Sequence, residues 1–172
     1  MAAVTISKED YVEWTPVRLV DPRGAKVNQF IYGMELIVSA EGPIMASRMF
    51  HIFSKAGGLS RIYEDTRRSF IKALETALEK GIFIAEKEAS DDPGTWIIRL
   101  PTQPRVRIRT LGNRTLHEVP AAEVAEFMLE FRVADELISR EELFRKVLSE
   151  YGLTRLTEAT NNRLEYVLKT WF

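Results

Sequence analysis

The strongest local pattern of chemistry-bearing residues is PRVRIRT at 104–110, where Arg105, Arg107 and Arg109 alternate with Val106 and Ile108. In an extended strand, alternate side chains lie about 7 Å apart on one face. Successive phosphates along one nucleic-acid strand are roughly 6 to 7 Å apart, so three guanidiniums placed this way could track a phosphate backbone. Arg99 and Arg114 stand close by in sequence. The plainer use of such a stripe is an edge strand whose charges keep other strands away.

Enzyme chemistry finds little to use. The two histidines, His51 and His117, have no histidine or carboxylate at a recurring ligand spacing. Asp91 and Asp92 precede Pro93-Gly94, where acids serve turn geometry. With Glu86-Lys87 they could suggest a nuclease, yet no Asp followed by Glu-x-Lys runs along one strand. Gly57-Gly58 reads as a helix stop, not a phosphate cradle. Cysteine is absent, which excludes disulfides, thiol catalysis and cysteine-ligated zinc. The expectation is a chain that is not an enzyme, with no metal, cofactor or small-molecule substrate.

The elements that position these residues can be read from periodicity. Residues 1–26 lack a regular pattern; Pro16, Pro22 and the turn signal DPRG at 21–24 punctuate them. Tyr11, Val12, Trp14, Val17, Leu19 and Val20 mark them as a docking segment. Residues 27–40 form a first helix, with Phe30, Ile31, Met34, Ile37 and Val38 at three- and four-residue steps, stopped by Gly42-Pro43. A second helix covers 45–56 and a third covers 63 to about 80, closed by Gly81. IFIAEKE and TWIIRLP flank ASDDPG as a hairpin, and the Ile44 region could add a short strand. Three helices followed by a hairpin is the order of a winged helix, here spanning 27–101.

Residues 102–118 read as a β linker or hairpin: the arginine strand, the turn LGNR at 111–114, and TLHEV as a return strand. Residues 119–172 read as a second helical unit resembling a helix-turn-helix. It opens at Pro120, has a helix capped by Ser139 in SREE, and ends in a helix from about Glu158. A shift of 94 residues overlays this unit on the first: seven of the 21 positions from 58 to 78 are identical, including the turn Gly58-Leu59-Ser60-Arg61 against Gly152-Leu153-Thr154-Arg155. The same shift pairs Met34 with Met128, Ile44 with Ile138 and Phe50 with Phe144. The second copy stops at Trp171-Phe172, where a wing would begin, which leaves either a wingless unit or an apolar end that needs a partner surface. The fold class is α+β and mostly helical: tandem winged-helix-like units, the second lacking its wing, with an Arg-striped β segment between them.

AEGPI at 40–44, GLSR at 58–61, PRVRIR at 104–109 and GLTR at 152–155 together resemble an uncharacterised domain at the C-terminal end of large bacterial proteins that combine a superfamily 1 helicase with a Vsr-like nuclease. The resemblance covers residues 27–172. It implies an accessory, non-catalytic module associated with nucleic acid. Helicase and nuclease motifs are absent from this chain.

In a winged helix the third helix enters the major groove. On a helical wheel, the outer face of the first copy carries Asp65, Arg68, Lys72, Glu75 and Glu79, a mixed face whose acids repel phosphate. The second copy presents Asn161, Asn162, Arg163, Tyr166 and Lys169, with Arg155 in the turn before it. These types can meet base edges and phosphates. The leading expectation is a nucleic-acid-associated module that binds DNA or RNA backbone through Arg105, Arg107, Arg109 and the last helix. Arg68 and Lys72 would be secondary contacts. The alternative is a protein-interaction or dimerisation module of a larger nucleic-acid-processing or defence assembly, using Trp171 and Phe172. A net charge of -1 favours neither. The N-terminus lacks a basic segment followed by an apolar run, and no stretch reaches the roughly 18 apolar residues of a membrane span, so a cytoplasmic protein is expected.

Overall fold

The structure, a computed structural model, describes residues 5–172. The described residues form a mostly helical α+β protein with six α-helices and one small antiparallel sheet. The chain divides into two compact units. A sheet unit comprises Val12–Arg105, and a helical unit comprises residues 5–11 together with Val106–Phe172. Each has its own apolar core.

In the sheet unit, α1 spans Val27–Glu41, β1 Ile44–Met45, α2 Ala46–Ala56, α3 Glu64–Glu79, β2 Ile84–Glu86 and β3 Ile97–Arg99. The sheet order is β1-β3-β2. Ile98 is the centre of the register, opposite Ile44 on one side and Ala85 on the other. The expected hairpin and the extra strand at Ile44 are therefore both present. Phe30, Phe50, Phe53 and Phe70 bring the three helices together, with ring centroids 4.8–5.6 Å apart. Such offset and edge-on ring pairs add to the area they bury. Gly33 lets α1 approach α2 closely, since a Cβ there would lie 2.3 Å from the Phe53 ring.

The segment before α1 docks only in part. Trp14 and Leu19 are buried, but Val12 and Val17 face solvent. The Leu19 N–H donates to the Ala56 carbonyl at the end of α2, and the Trp14 N–H donates to the buried Glu41 carboxylate. Residues 5–11 belong to the helical unit.

In the helical unit, α4 spans Ala121–Ala134, α5 Arg140–Glu150 and α6 Glu158–Trp171. Their starts fall 94 residues after those of α1, α2 and α3. The turns after α2 and α5 match bond for bond. Leu59 N–H donates to the Ser54 carbonyl, and Leu153 N–H to the Leu148 carbonyl, both at 2.8 Å. The residue before each, Gly58 or Gly152, takes a left-handed conformation, with φ of 84° and 69°. This is the glycine-dependent helix stop expected from the sequence. Ser139 caps α5, accepting from the Glu142 N–H at 3.2 Å.

Between the units' helices the structure departs from expectation. Among the described residues, 104–110 form no ladder; their pairing is an isolated parallel bridge between Glu9 and Arg109. TLHEV is not a strand either, because Leu116–Glu118 form a single 3-10 turn. Thr115 and Glu118 cap that turn reciprocally, a local arrangement that outcompetes extension.

Candidate interaction surfaces

The three arginines do not share a solvent face. Arg105 is exposed and makes a two-pronged contact with Glu86, at 2.9 and 2.5 Å. Arg107 donates to Glu9 at 2.8 Å. Hydrogen bonding to these partners holds the Glu86 and Glu9 carboxyls below the usual range. Arg109 is only 1% exposed. The expected phosphate-tracking stripe is thus absent. Without a neighbouring strand to impose the pleat, each side chain follows its own carboxylate partner.

Arg109 instead enters a buried charge cluster in the helical unit. Glu123, on α4, accepts from the Arg109 backbone N–H at 3.0 Å and its guanidinium at 3.1 Å. Both Arg114 amino groups reach the same carboxylate at 3.1 Å. Arg114 also donates to the Thr110 and Leu111 carbonyls. The Tyr11 ring lies 5.0 Å from the Arg109 guanidinium and 4.2 Å from that of Arg114. Burial works against the Arg109 charge and lowers its pKa; Glu123 opposes that shift. A buried charge with this many partners is a structural anchor for the chain entering α4. Glu41 plays the matching part in the sheet unit, accepting from Arg48 at 2.9 and 3.1 Å and from the Trp14 N–H. Neither carboxylate was singled out from the sequence. The available signal was a glutamate on an apolar face: Glu123 precedes Phe127 and Phe131 at four-residue steps, and Glu41 follows Ile37.

The expected reading face of α6 is split. Asn162, Lys169 and, in the preceding turn, Arg155 are exposed. Arg163 is buried and donates to the Val119 carbonyl at 2.5 Å, with Tyr166 half-buried and its ring 5.6 Å from that guanidinium. Arg163 belongs inside because it stands one turn before the core residue Val167. Asn161 accepts from Arg140, which also pairs with Glu165. On α3, Arg68 and Lys72 are exposed, Arg68 lying 3.7 Å from Glu64 and 3.5 Å from Asp65. The core side of α3 is made of Thr66, Phe70, Ala73, Leu74 and Ala77, all buried, with Leu78 half-buried beside them. In the β2–β3 connection, Asp92 pairs with Arg67 and caps the 3-10 turn at Pro93–Thr95. His51 and His117 are exposed, one in each unit.

Several exposed apolar residues of the helical unit lie together. A groove of ≈ 440 Å³ is lined by Leu129, Arg132, Val133, Glu136 and Phe172. Leu129 is 43% exposed, Val133 72%, Phe172 47%, and Leu137, next to Glu136, 94%. Leu129 and Val133 lie one turn apart on α4. The Arg132 guanidinium stacks on the Phe172 ring at 4.8 Å. Trp171 is half-buried and packs against the core, so of the expected apolar pair only Phe172 reaches this surface. Among the described residues, no group of three or more histidines or acids could hold a metal, and no helix is long and apolar enough to cross a membrane. No protein-family model, curated protein or solved structure matches the chain.

Proposed function

We propose that this chain is a non-catalytic interaction module, whose working surface is the apolar groove between α4 and Phe172. The observation that carries this reading is the exposure of Leu129, Val133 and Phe172 around one groove. Apolar side chains exposed together, unlike scattered single ones, are characteristic of surfaces that another protein covers. The groove occurs in a unit built like its neighbour. The element order α1, β1, α2, α3, β2, β3 is that of a winged helix, and α4, α5 and α6 follow the same helix spacing without the strands. We read the chain as two winged-helix-like units, the second wingless and adapted for docking. The absence of a catalytic role is supported by the buried acids Glu41 and Glu123, both occupied by arginines.

A photo-crosslinking residue in place of Val133, in the full chain in its native cells, tests this reading. A discrete heteromeric adduct is expected, lost on Leu129→Ser and absent when the probe replaces Glu75 on α3. No adduct from position 133, or one indifferent to Leu129→Ser, overturns the reading.

Nucleic-acid binding is the second reading, supported by the exposed Asn162, Lys169 and Arg155 beside the α6 surface. Of the expected contacts, Arg109 and Arg163 are buried, and Arg105 and Arg107 are paired with acids of this chain. An anisotropy titration of the full chain against labelled duplex DNA, single-stranded DNA and RNA at low salt decides it. Binding that weakens with salt and with Lys169→Ala supports it.

A further inference from the structure

We infer that the occupant of the α4 groove is an amphipathic helix of another protein with apolar anchors and a basic flank. This rests on the groove being a docking surface and adds what it selects. The argument is charge complementarity around the apolar stripe. Glu126 and Glu130 stand three residues before Leu129 and Val133 respectively on α4, so helix periodicity sets them along the same outward face, and Asp135 and Glu136 follow Val133. Against these four acids stand two cations. Arg132 is stacked on Phe172, and Lys169 lies three residues before Phe172 on α6. Glu136 and Arg132 line the groove beside Leu129, Val133 and Phe172, and Glu126 and Glu130 continue the acidic side along the outward face of α4.

Spacing and length favour a helix as the ligand. Leu129 and Val133 are one helical turn apart, so they present a ridge that side chains at i, i+3, i+4 and i+7 of a second helix can straddle. An extended peptide would seek a strand edge for its backbone, and α4 offers none. A second copy of this chain fits poorly. A two-fold pairing brings the same patch to both sides, so Glu126, Glu130, Asp135 and Glu136 would meet their own counterparts. A basic helix removes that conflict and gains from it: lysines or arginines beside its apolar anchors would face the acids. Arg132, held on the Phe172 ring, leaves one position of the rim that favours an acid or a small polar residue on the ligand.

Three fluorescent peptides of about 18 residues test the inference, each a designed amphipathic helix with the same leucine face and with lysine, glutamine or glutamate elsewhere. They are titrated against the full chain by anisotropy. The lysine peptide is expected to bind roughly tenfold or more tighter than the glutamate peptide, with the difference shrinking as salt rises. Leu129→Ser with Val133→Ser should weaken it by a similar factor, while Glu75→Gln with Glu79→Gln on α3 should leave it unchanged. Those two α3 residues are exposed acids outside the groove, so they control for general attraction of a cationic peptide. If all three peptides bind alike and all lose affinity with the groove variant, the docking surface stands and the charge selectivity is overturned. If no peptide responds to the groove variant, both fall. Concentration-dependent dimers that the groove variant abolishes would also overturn the inference, by making a second copy the occupant. Both substituted apolar residues are exposed and lie outside the core, so folding does not confound the comparison.

Discussion

Glu123 and Tyr151 show how single residues set the character of the helical unit. Glu123 anchors two arginines, whereas the Tyr151 hydroxyl is buried with no hydrogen-bond partner among the described residues. Its ring packs edge-on against Phe127 at 5.0 Å. Burial raises the phenol pKa well above 10.0, and Glu123 adds to the rise. The sign of the linkage follows. Above about pH 10 the unfolded chain releases this proton while the folded chain retains it, so the folded state loses stability as pH rises. Tyr151→Phe keeps the ring contact and removes the desolvated hydroxyl. It should raise stability by about 1 kcal/mol near neutral pH. It should also flatten the decline above pH 10. Denaturant melts of both forms across that range measure it; a less stable Phe variant would mean the hydroxyl has a partner.

At the scale of elements, the turns after α2 and α5 do the same work with the same bonds. Gly58 and Gly152 both have positive φ, and a Cβ at either would meet nothing within 4 Å. Substitution by alanine therefore isolates the backbone cost from any packing cost. Gly58→Ala and Gly152→Ala should each destabilise by about 1–2 kcal/mol. Urea unfolding of the two variants tests this, and a cost at one site only would show that the turns are not equivalent. The segment at 104–110 teaches the opposite lesson. It has strand periodicity but no ladder, and pattern alone could not reveal that its arginines had carboxylate partners as distant in sequence as Glu9 and Glu86.

At the scale of the whole molecule, two separate cores imply two folding units. The Val12–Arg105 unit holds its sheet, its three helices and the Glu41 anchor within one continuous stretch. Expressed alone, residues 12–105 should unfold in one cooperative transition, monitored by circular dichroism. Residues 106–172 alone should be markedly less stable than the same segment joined to residues 5–11. Those residues supply Lys8 to Glu150 at 2.6 Å, Glu9 to Arg107, and the Tyr11 ring against Arg109 and Arg114. A non-cooperative 12–105 fragment would mean its core needs the remaining chain.

Much of the secondary structure was written locally. Apolar steps of three and four, glycine stops and the Ser139 cap placed the six helices, and alternating apolar runs around a turn placed the β2–β3 hairpin. These features depend on neighbours within a few residues, so the sequence carries them directly. Which charges stay in water depends on partners far along the chain. Arg109 and Arg163 look like surface cations in isolation; Glu123 and the Val119 carbonyl draw them inside. The apolar groove was equally hidden. Leu129 and Val133 read as ordinary helix residues until the packing of α4 against α5 and α6 left them outside, beside Phe172. Burial is a property of the assembled fold, and it decided which of the expected surfaces remained available.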